Sequence, residues 1–162
     1  MMNEKQYEKI SALFRKESRI KVILLLNKLL TGIGYISYPI LVLLILLNKQ
    51  EYFFKSILIP AIGFLLLTFI RKGINRKRPY ESLNIQPIIK KNKQGCSMPS
   101  RHVFSMTIIA VSWFILSPVI GSLLMIASIL LGMIRVIGGV HYPSDVLVGF
   151  LSACLWSLLY FV

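Results

Sequence analysis

Five stretches of the chain are apolar and almost free of charge, at residues 29–47, 52–70, 103–118, 119–140 and 146–162, and the polar residues gather between them. Crossing a bilayer as a helix takes roughly 17–25 residues at about 1.5 Å each. Four stretches meet that length and the third, 103–118, is short. A soluble five-helix protein would need polar faces to meet water. Too few polar positions remain to build them. The pattern therefore predicts an all-α fold, a polytopic transmembrane helical bundle of about five spans.

Residues 1–28 have another pattern, with Ile10, Leu13, Phe14, Ile20, Val22 and Ile23 scattered among charges. This predicts an N-terminal amphipathic helix on the membrane that feeds the first span. The domain organisation that follows is an amphipathic segment, 1–28, and a membrane-embedded body, 29–162. No cleavable signal peptide is evident, since the first apolar span starts late and is too long. Residues 48–51 form a hydrophilic turn, the second span ends in a basic cluster at 71–79, and the polar loop that follows to about residue 99 is the only long connection. Pro118 marks the next turn, Gly138-Gly139 ends a span, and Pro143 starts the last helix with Ser144 and Asp145 in its first turn.

Charge then changes the picture. The 162 residues carry a net +13. Nucleic acid is the usual partner of so basic a chain. Here the cations sit in two blocks, 5–28 and 71–101, beside membrane spans. Such blocks meet anionic lipid head groups or fix topology. The expected partners are the bilayer and a lipid, not nucleic acid, and the oligomeric state stays open. Alternation of spans brings Arg71, Lys72, Arg78, Arg101, His102, Arg135, His141 and Asp145 to one face. That set includes both histidines and the only aspartate of the chain. Lys/Arg residues number seven in 1–28 and nine in 71–101, against Lys49 and Lys55 on the other face. The positive-inside rule points that face to the cytoplasm. Arginines gathered on that face for an anion would inflate the count, so the side stays open for what is expected to be a multi-pass protein of the cell membrane. Cys96 and Cys154 are poorly placed for a disulfide, about 13 Å apart in depth by helical rise.

Several fixed cations on one face suit an anion rich in oxygen, and arginine matches phosphate with its planar fork. Ser100, after Pro99, stands where it can cap the third span, leaving the amides of Arg101 and His102 for an anion. Two histidines suit a two-step displacement, in which one attacks phosphorus and the other protonates the leaving oxygen. Asp145, four residues after His141, is placed to hold a tautomer, or simply to satisfy a helix N-terminus. Arg135 lies within an apolar run and needs a partner. Arg76 and Lys77 read as stop-transfer charges. Lys90, Lys91 and Lys93 read as a solvated run, so that Lys91→Ala is expected to leave turnover nearly intact. No cluster resembles a metal cage, and neither metal nor cofactor is expected.

Three blocks resemble the signature of the type 2 phosphatidic acid phosphatase superfamily, the lipid phosphate phosphatases, which include vanadium haloperoxidases. Arg71 with Lys72, then Arg78-Pro79, is similar to the family's Lys, six residues, Arg-Pro. Pro99-Ser100-Arg101-His102 is similar to Pro-Ser-Gly-His. Ile134-Arg135, His141 and Asp145 keep the spacing of the family's Ser-Arg, five residues, His, three residues, Asp. The resemblance implies a helical bundle with its site at the membrane–water boundary. It implies His141 as a nucleophile forming a phosphohistidine, Asp145 as its orienter and His102 as general acid. Arg78, Arg135 and Ser100 then bind phosphate, with Arg71 or Lys72 in the lysine position. Arg101 replaces glycine, adding bulk and a cation, and Ile134 replaces a hydroxyl. The implied activity is metal-independent hydrolysis of a lipid phosphomonoester or pyrophosphate, such as a phosphatidic acid, phosphatidylglycerophosphate or polyprenyl pyrophosphate. A phosphotransferase and a non-catalytic lipid-binding or transport protein are the alternatives.

Overall fold

A computed structural model describes residues 2–162. Among them the helices are α1 (Glu4–Ala12), α2 (Glu17–Asn48), α3 (Phe53–Ile74), α4 (Pro79–Ser82), α5 (Arg101–Trp113), α6 (Pro118–Ile137) and α7 (Pro143–Ser157), with short 3-10 turns at Gln50–Tyr52 and Leu158–Tyr160. No strand occurs among the described residues. Four helices are long and apolar enough to cross a membrane: α2, α3, α6, and α7 with its terminal turn. Their outer faces leave large apolar side chains such as Ile36, Leu43, Phe69, Leu123, Ile126 and Leu155 exposed. In water such faces would be a liability; in a bilayer they are the solvated surface. The chain is a polytopic membrane protein.

The short third stretch becomes α5, the central helix. At 13 residues it rises about 20 Å, against a hydrocarbon core of about 30 Å. It packs against α2, α3, α6 and α7. Val103, Phe104, Met106, Ile108 and Ala110 are all buried on it. Several buried hydroxyls within the bundle pair with one another, as burial favours. Thr107 and Ser128 hydroxyls lie 2.7 Å apart, as do those of Ser112 and Tyr160. The head of α5 is joined to the start of α7 by the Ser100 N–H, which donates to the Asp145 carbonyl at 2.9 Å. Gly149 permits this approach, because a Cβ there would stand 2.7 Å from the Ser100 carbonyl oxygen.

The first span begins earlier than its apolar run. Helix α2 starts at Glu17 and runs unbroken through Pro39 to Asn48. Residues 17–28 continue the helix because nothing in them stops it, and Glu17 and Lys21 pair across one turn at 2.8 Å. Helix α1 is separate, and a capping box between Asn3 and Gln6 starts it. It docks on the loop after α4. Tyr7 is fully buried and donates its hydroxyl to the Gln86 carbonyl at 3.4 Å, while the Asn84 N–H donates to Glu4 Oε1 at 2.8 Å.

Candidate active site

The end of α3, the head of α5, the end of α6 and the start of α7 meet at one end of the bundle. His141 lies in the turn between α6 and α7. Gly139 makes that turn at φ +75, a backbone region that side-chain-bearing residues rarely adopt. The chain then folds back, and the N–H groups of Val140 and His141 donate to the Arg135 carbonyl at 3.2 and 3.3 Å. The histidine is thereby held beside the last turn of α6.

His141 is buried, and its Nδ1 faces Asp145 Oδ2 at 3.6 Å. That separation is too long for a hydrogen bond. The Ser97 hydroxyl bridges the gap. It donates to Asp145 Oδ2 at 2.5 Å and lies 3.4 Å from His141 Nδ1. Asp145 also accepts from the Tyr142 N–H at 2.9 Å and from Arg76 Nη1 at 2.7 Å. Asp145 thus caps α7 through the Tyr142 N–H and is linked to His141 only through Ser97. Burial holds the His141 imidazolium down to about 4, the Arg78 and Arg135 charges add to this, and Asp145 opposes it. At neutral pH the ring is uncharged, and with Nδ1 turned to Ser97 and Asp145, Nε2 is its free lone-pair position.

Two buried donors at this end have no partner among the described residues: Arg135 Nε and the Ser100 hydroxyl. Buried polar atoms are rarely left so. Ser100 occupies the cap position of α5, yet its hydroxyl makes no capping bond, contrary to the expectation above. Arg78 is buried and partly committed, with Nε on the Gly95 carbonyl at 3.0 Å and Nη1 on the Val140 carbonyl at 3.4 Å. Two of its five N–H donors are used in this way. Arg135, Ser100 and Arg78 thus present open donors beside a neutral imidazole, an arrangement suited to a phosphoryl group.

The remaining predicted residues divide. Arg71 is buried, but its guanidinium donates to the carbonyls of Pro99 and Cys96, tying α3 to the segment before α5. Lys72 is exposed and stands outside the cluster, because one residue further along a helix turns the side chain by about 100°. His102 and Arg101 are half-buried in the first turn of α5. They line the top of an apolar cavity of about 200 Å3 with Tyr35 and Phe64. A second cavity of about 290 Å3 shares Gly34, Tyr35, Phe64 and Ser105 with it and continues between α2, α3 and α5 to Tyr38.

Three residues near the site were not expected there. Arg76, read as a stop-transfer charge, pairs with Asp145 and lies 4.3 Å over the Tyr142 ring. Its signal was the need of a lone buried aspartate for a cation. Ser97 carried no signal in the motif spacing. Lys91, read as solvated, is half-buried, with burial and the charges of Arg135, Arg78, Lys93 and Arg101 lowering it to about 8.

The sequence matches the family model of the PAP2 superfamily over residues 52–162. Among solved structures, LpxE of Aquifex aeolicus is similar with a TM-score of 0.78 at 22% identity, covering 99% of this chain and 95% of that one. A transmembrane PAP2-type phosphatidylglycerolphosphate phosphatase from Bacillus subtilis is similar with a TM-score of 0.62 at 22% identity, covering 95% of this chain and 90% of that one. At such identity these likenesses are likenesses of fold. No curated protein matches the sequence.

Proposed function

The chain belongs to the PAP2 superfamily and is a phosphoric ester hydrolase of the membrane, and on that premise we propose that it dephosphorylates a lipid through a phosphohistidine on His141. The neutral His141 Nε2 attacks phosphorus. Arg78, Arg135 and Ser100 hold the equatorial oxygens, where charge accumulates in the transition state. His102 takes up a proton once the anionic phosphate offsets the cations around it, and gives that proton to the leaving oxygen. Water then attacks the phosphohistidine, with His102 taking its proton, and inorganic phosphate leaves. Asp145, through Ser97, holds the His141 ring and supports the positive charge that develops on it. Arg71 braces the segment before α5. The arginines supply the charge that a metal supplies elsewhere, so turnover is expected to persist in a chelator. The boundary expected between 28 and 29 falls inside α2, so the segment assigned to the membrane surface is the part before Glu17, and the catalytic body runs from α2 onward.

The observation that carries this reading is the pair of unpartnered buried donors, Arg135 Nε and the Ser100 hydroxyl, beside a buried histidine. A lipid is favoured over a soluble phosphate because the cavity below His102 is apolar and continues along α5. The test is phosphate release from lipid monophosphates and diphosphates by the detergent-purified protein in EDTA. Release by the wild type and none by His141→Ala supports the reading. Equal release by both, or release that stops in EDTA and returns with a divalent ion, contradicts it.

A further inference from the structure

Helix α1 lies outside the residues that match the family, which begin at 52, and its attachment is built around one side chain. At nine residues it is shorter than the roughly 12–15 that an isolated helix needs to hold in water. Docking therefore keeps it folded. Its buried residues are Tyr7 and Ser11. Lys5 and Lys9 stand two positions to either side of Tyr7, about 160° round the helix from it, and are exposed. The face opposite Tyr7 is thus free for anionic head groups while Tyr7 is enclosed by the protein.

Tyr7 ends at the turn that carries His141. A Cβ placed on Gly139 would stand 2.8 Å from the Tyr7 hydroxyl oxygen, 3.1 Å from Tyr7 Cζ and 3.2 Å from Pro87 Cβ. The end of the phenol ring therefore fills the place that a side chain at 139 would take. The connection behind it is tied to α1 at two more points. Glu4 accepts from the Asn84 N–H at 2.8 Å, and the Gln86 carbonyl accepts from Arg15 Nη2 at 3.4 Å as well as from the Tyr7 hydroxyl. The Ile89 N–H then donates to the Gly138 carbonyl at 3.1 Å. Residues 138–141 are thereby clamped between the last turn of α6 and the Tyr7–Pro87 contact. Toward α7 the fit is loose, since Gln6 and Ile10 are separated from Tyr142, Pro143 and Ser144 by a cavity of about 520 Å3.

The clamp matters because the histidine ring is weakly held by its own bonds. Nδ1 stands 3.4 Å from the Ser97 hydroxyl and 3.6 Å from Asp145 Oδ2. The N–H of His141 reaches the Arg135 carbonyl at 3.3 Å. Where Nε2 stands is therefore set largely by the backbone of the turn. Resting on the phosphatase reading above, we infer that Tyr7 is a positioning residue for the nucleophile: packed against Gly139, it fixes the turn so that His141 Nε2 meets phosphorus in line. Tyr7 touches neither the substrate nor the reacting atoms. Arg135 Nε and the Ser100 hydroxyl belong to α6 and the head of α5, so the phosphate donors do not depend on it.

The test uses the full chain in one detergent. Tyr7→Leu leaves α1 an apolar anchor but empties the place beside Gly139, and Tyr7→Met repeats the measurement should Tyr7→Leu not fold. Tyr7→Phe keeps the ring in place and loses only a 3.4 Å hydrogen bond. Glu4→Ala removes the Asn84 tether and leaves Tyr7. Phosphate release from a lipid phosphate gives kcat, competitive inhibition by inorganic phosphate gives the affinity of the donor set, and melting gives the folded fraction. Tyr7→Leu is expected to lower kcat by on the order of 10–100-fold, since a misplacement of about 1 Å can cost about 100-fold. Its phosphate inhibition constant is expected to stay near the wild-type value, and alkali-quenched samples to hold less phosphohistidine. Tyr7→Phe is expected to retain most of kcat, and Glu4→Ala to lower the melt without lowering kcat. Unchanged kcat in folded Tyr7→Leu overturns the inference, as does a loss matched by an equal rise in the phosphate inhibition constant. A loss as deep in Tyr7→Phe or Glu4→Ala also overturns it. All these outcomes leave the phosphatase reading intact, whereas no release by the wild type overturns both.

Discussion

Removing the Ser97 hydroxyl probes how Asp145 reaches His141. In Ser97→Ala the carboxylate loses a fully buried donor at 2.5 Å but keeps Arg76 Nη1 at 2.7 Å and the Tyr142 N–H at 2.9 Å. A hydrogen bond to a charged group contributes about 1.5–3 kcal/mol. The imidazole can recover part of this, since closing its 3.6 Å separation from Oδ2 to hydrogen-bond distance takes less than about 1 Å. The net loss is therefore placed at about 1.5–2 kcal/mol, which lowers kcat by roughly 10–30-fold. Because Ser97 touches the orienting carboxylate and not the phosphate donors, KM is expected to stay near its wild-type value. The assay is steady-state phosphate release at several lipid mole fractions in fixed micelles, with melting followed on the same sample. Unchanged kcat refutes the bridging role, and so does a loss confined to KM.

Other substitutions separate neighbouring roles. Arg76→Met should destabilise the protein by roughly 3 kcal/mol, at the foot of the range for breaking a buried pair, since Ser97 and Tyr142 still hold Asp145. Lys72→Met, on an exposed side chain, should change stability by no more than about 0.5 kcal/mol and leave turnover unaltered; thermal unfolding and phosphate release check both. Gly149→Ala drives a methyl into the Ser100 backbone, which cannot yield as a side chain can, and should cost about 1–3 kcal/mol in a detergent melt. The pH profile of kcat/KM should fall below about 4, where His141 gains a proton and loses its lone pair.

The fold was largely legible because length and apolarity decide what crosses a bilayer. The shortness of the third stretch was legible too, although only packing shows that α5 sits among four longer helices. The start of α2 was missed because residues 17–28 mix charge with apolar positions, and composition does not reveal that a helix continues through them. In the site, motif spacing picked out His102, His141, Asp145, Arg78, Arg135 and Ser100, which the helix ends bring to one end of the bundle. It separated neighbours poorly. Arg71 and Lys72 differ by one residue, and the turn of the helix buries one and exposes the other. Arg76 and Lys91 were hidden among basic residues of the kind that flank any span. What distinguishes them is a single buried aspartate and a pair of loop anchors, Ile89 to Gly138 and Gly95 to Glu81, set by tertiary contact.

The central claim is that the phosphoryl group passes through His141. Turnover of a lipid phosphate can be quenched in alkali, which preserves phosphohistidine, and the digest mapped by mass spectrometry. A phosphoryl group on the peptide carrying His141, accumulating in the wild type and absent from His141→Ala, is the predicted result. Undiminished turnover by His141→Ala, or a phosphoryl group trapped on His102 instead, would contradict the account.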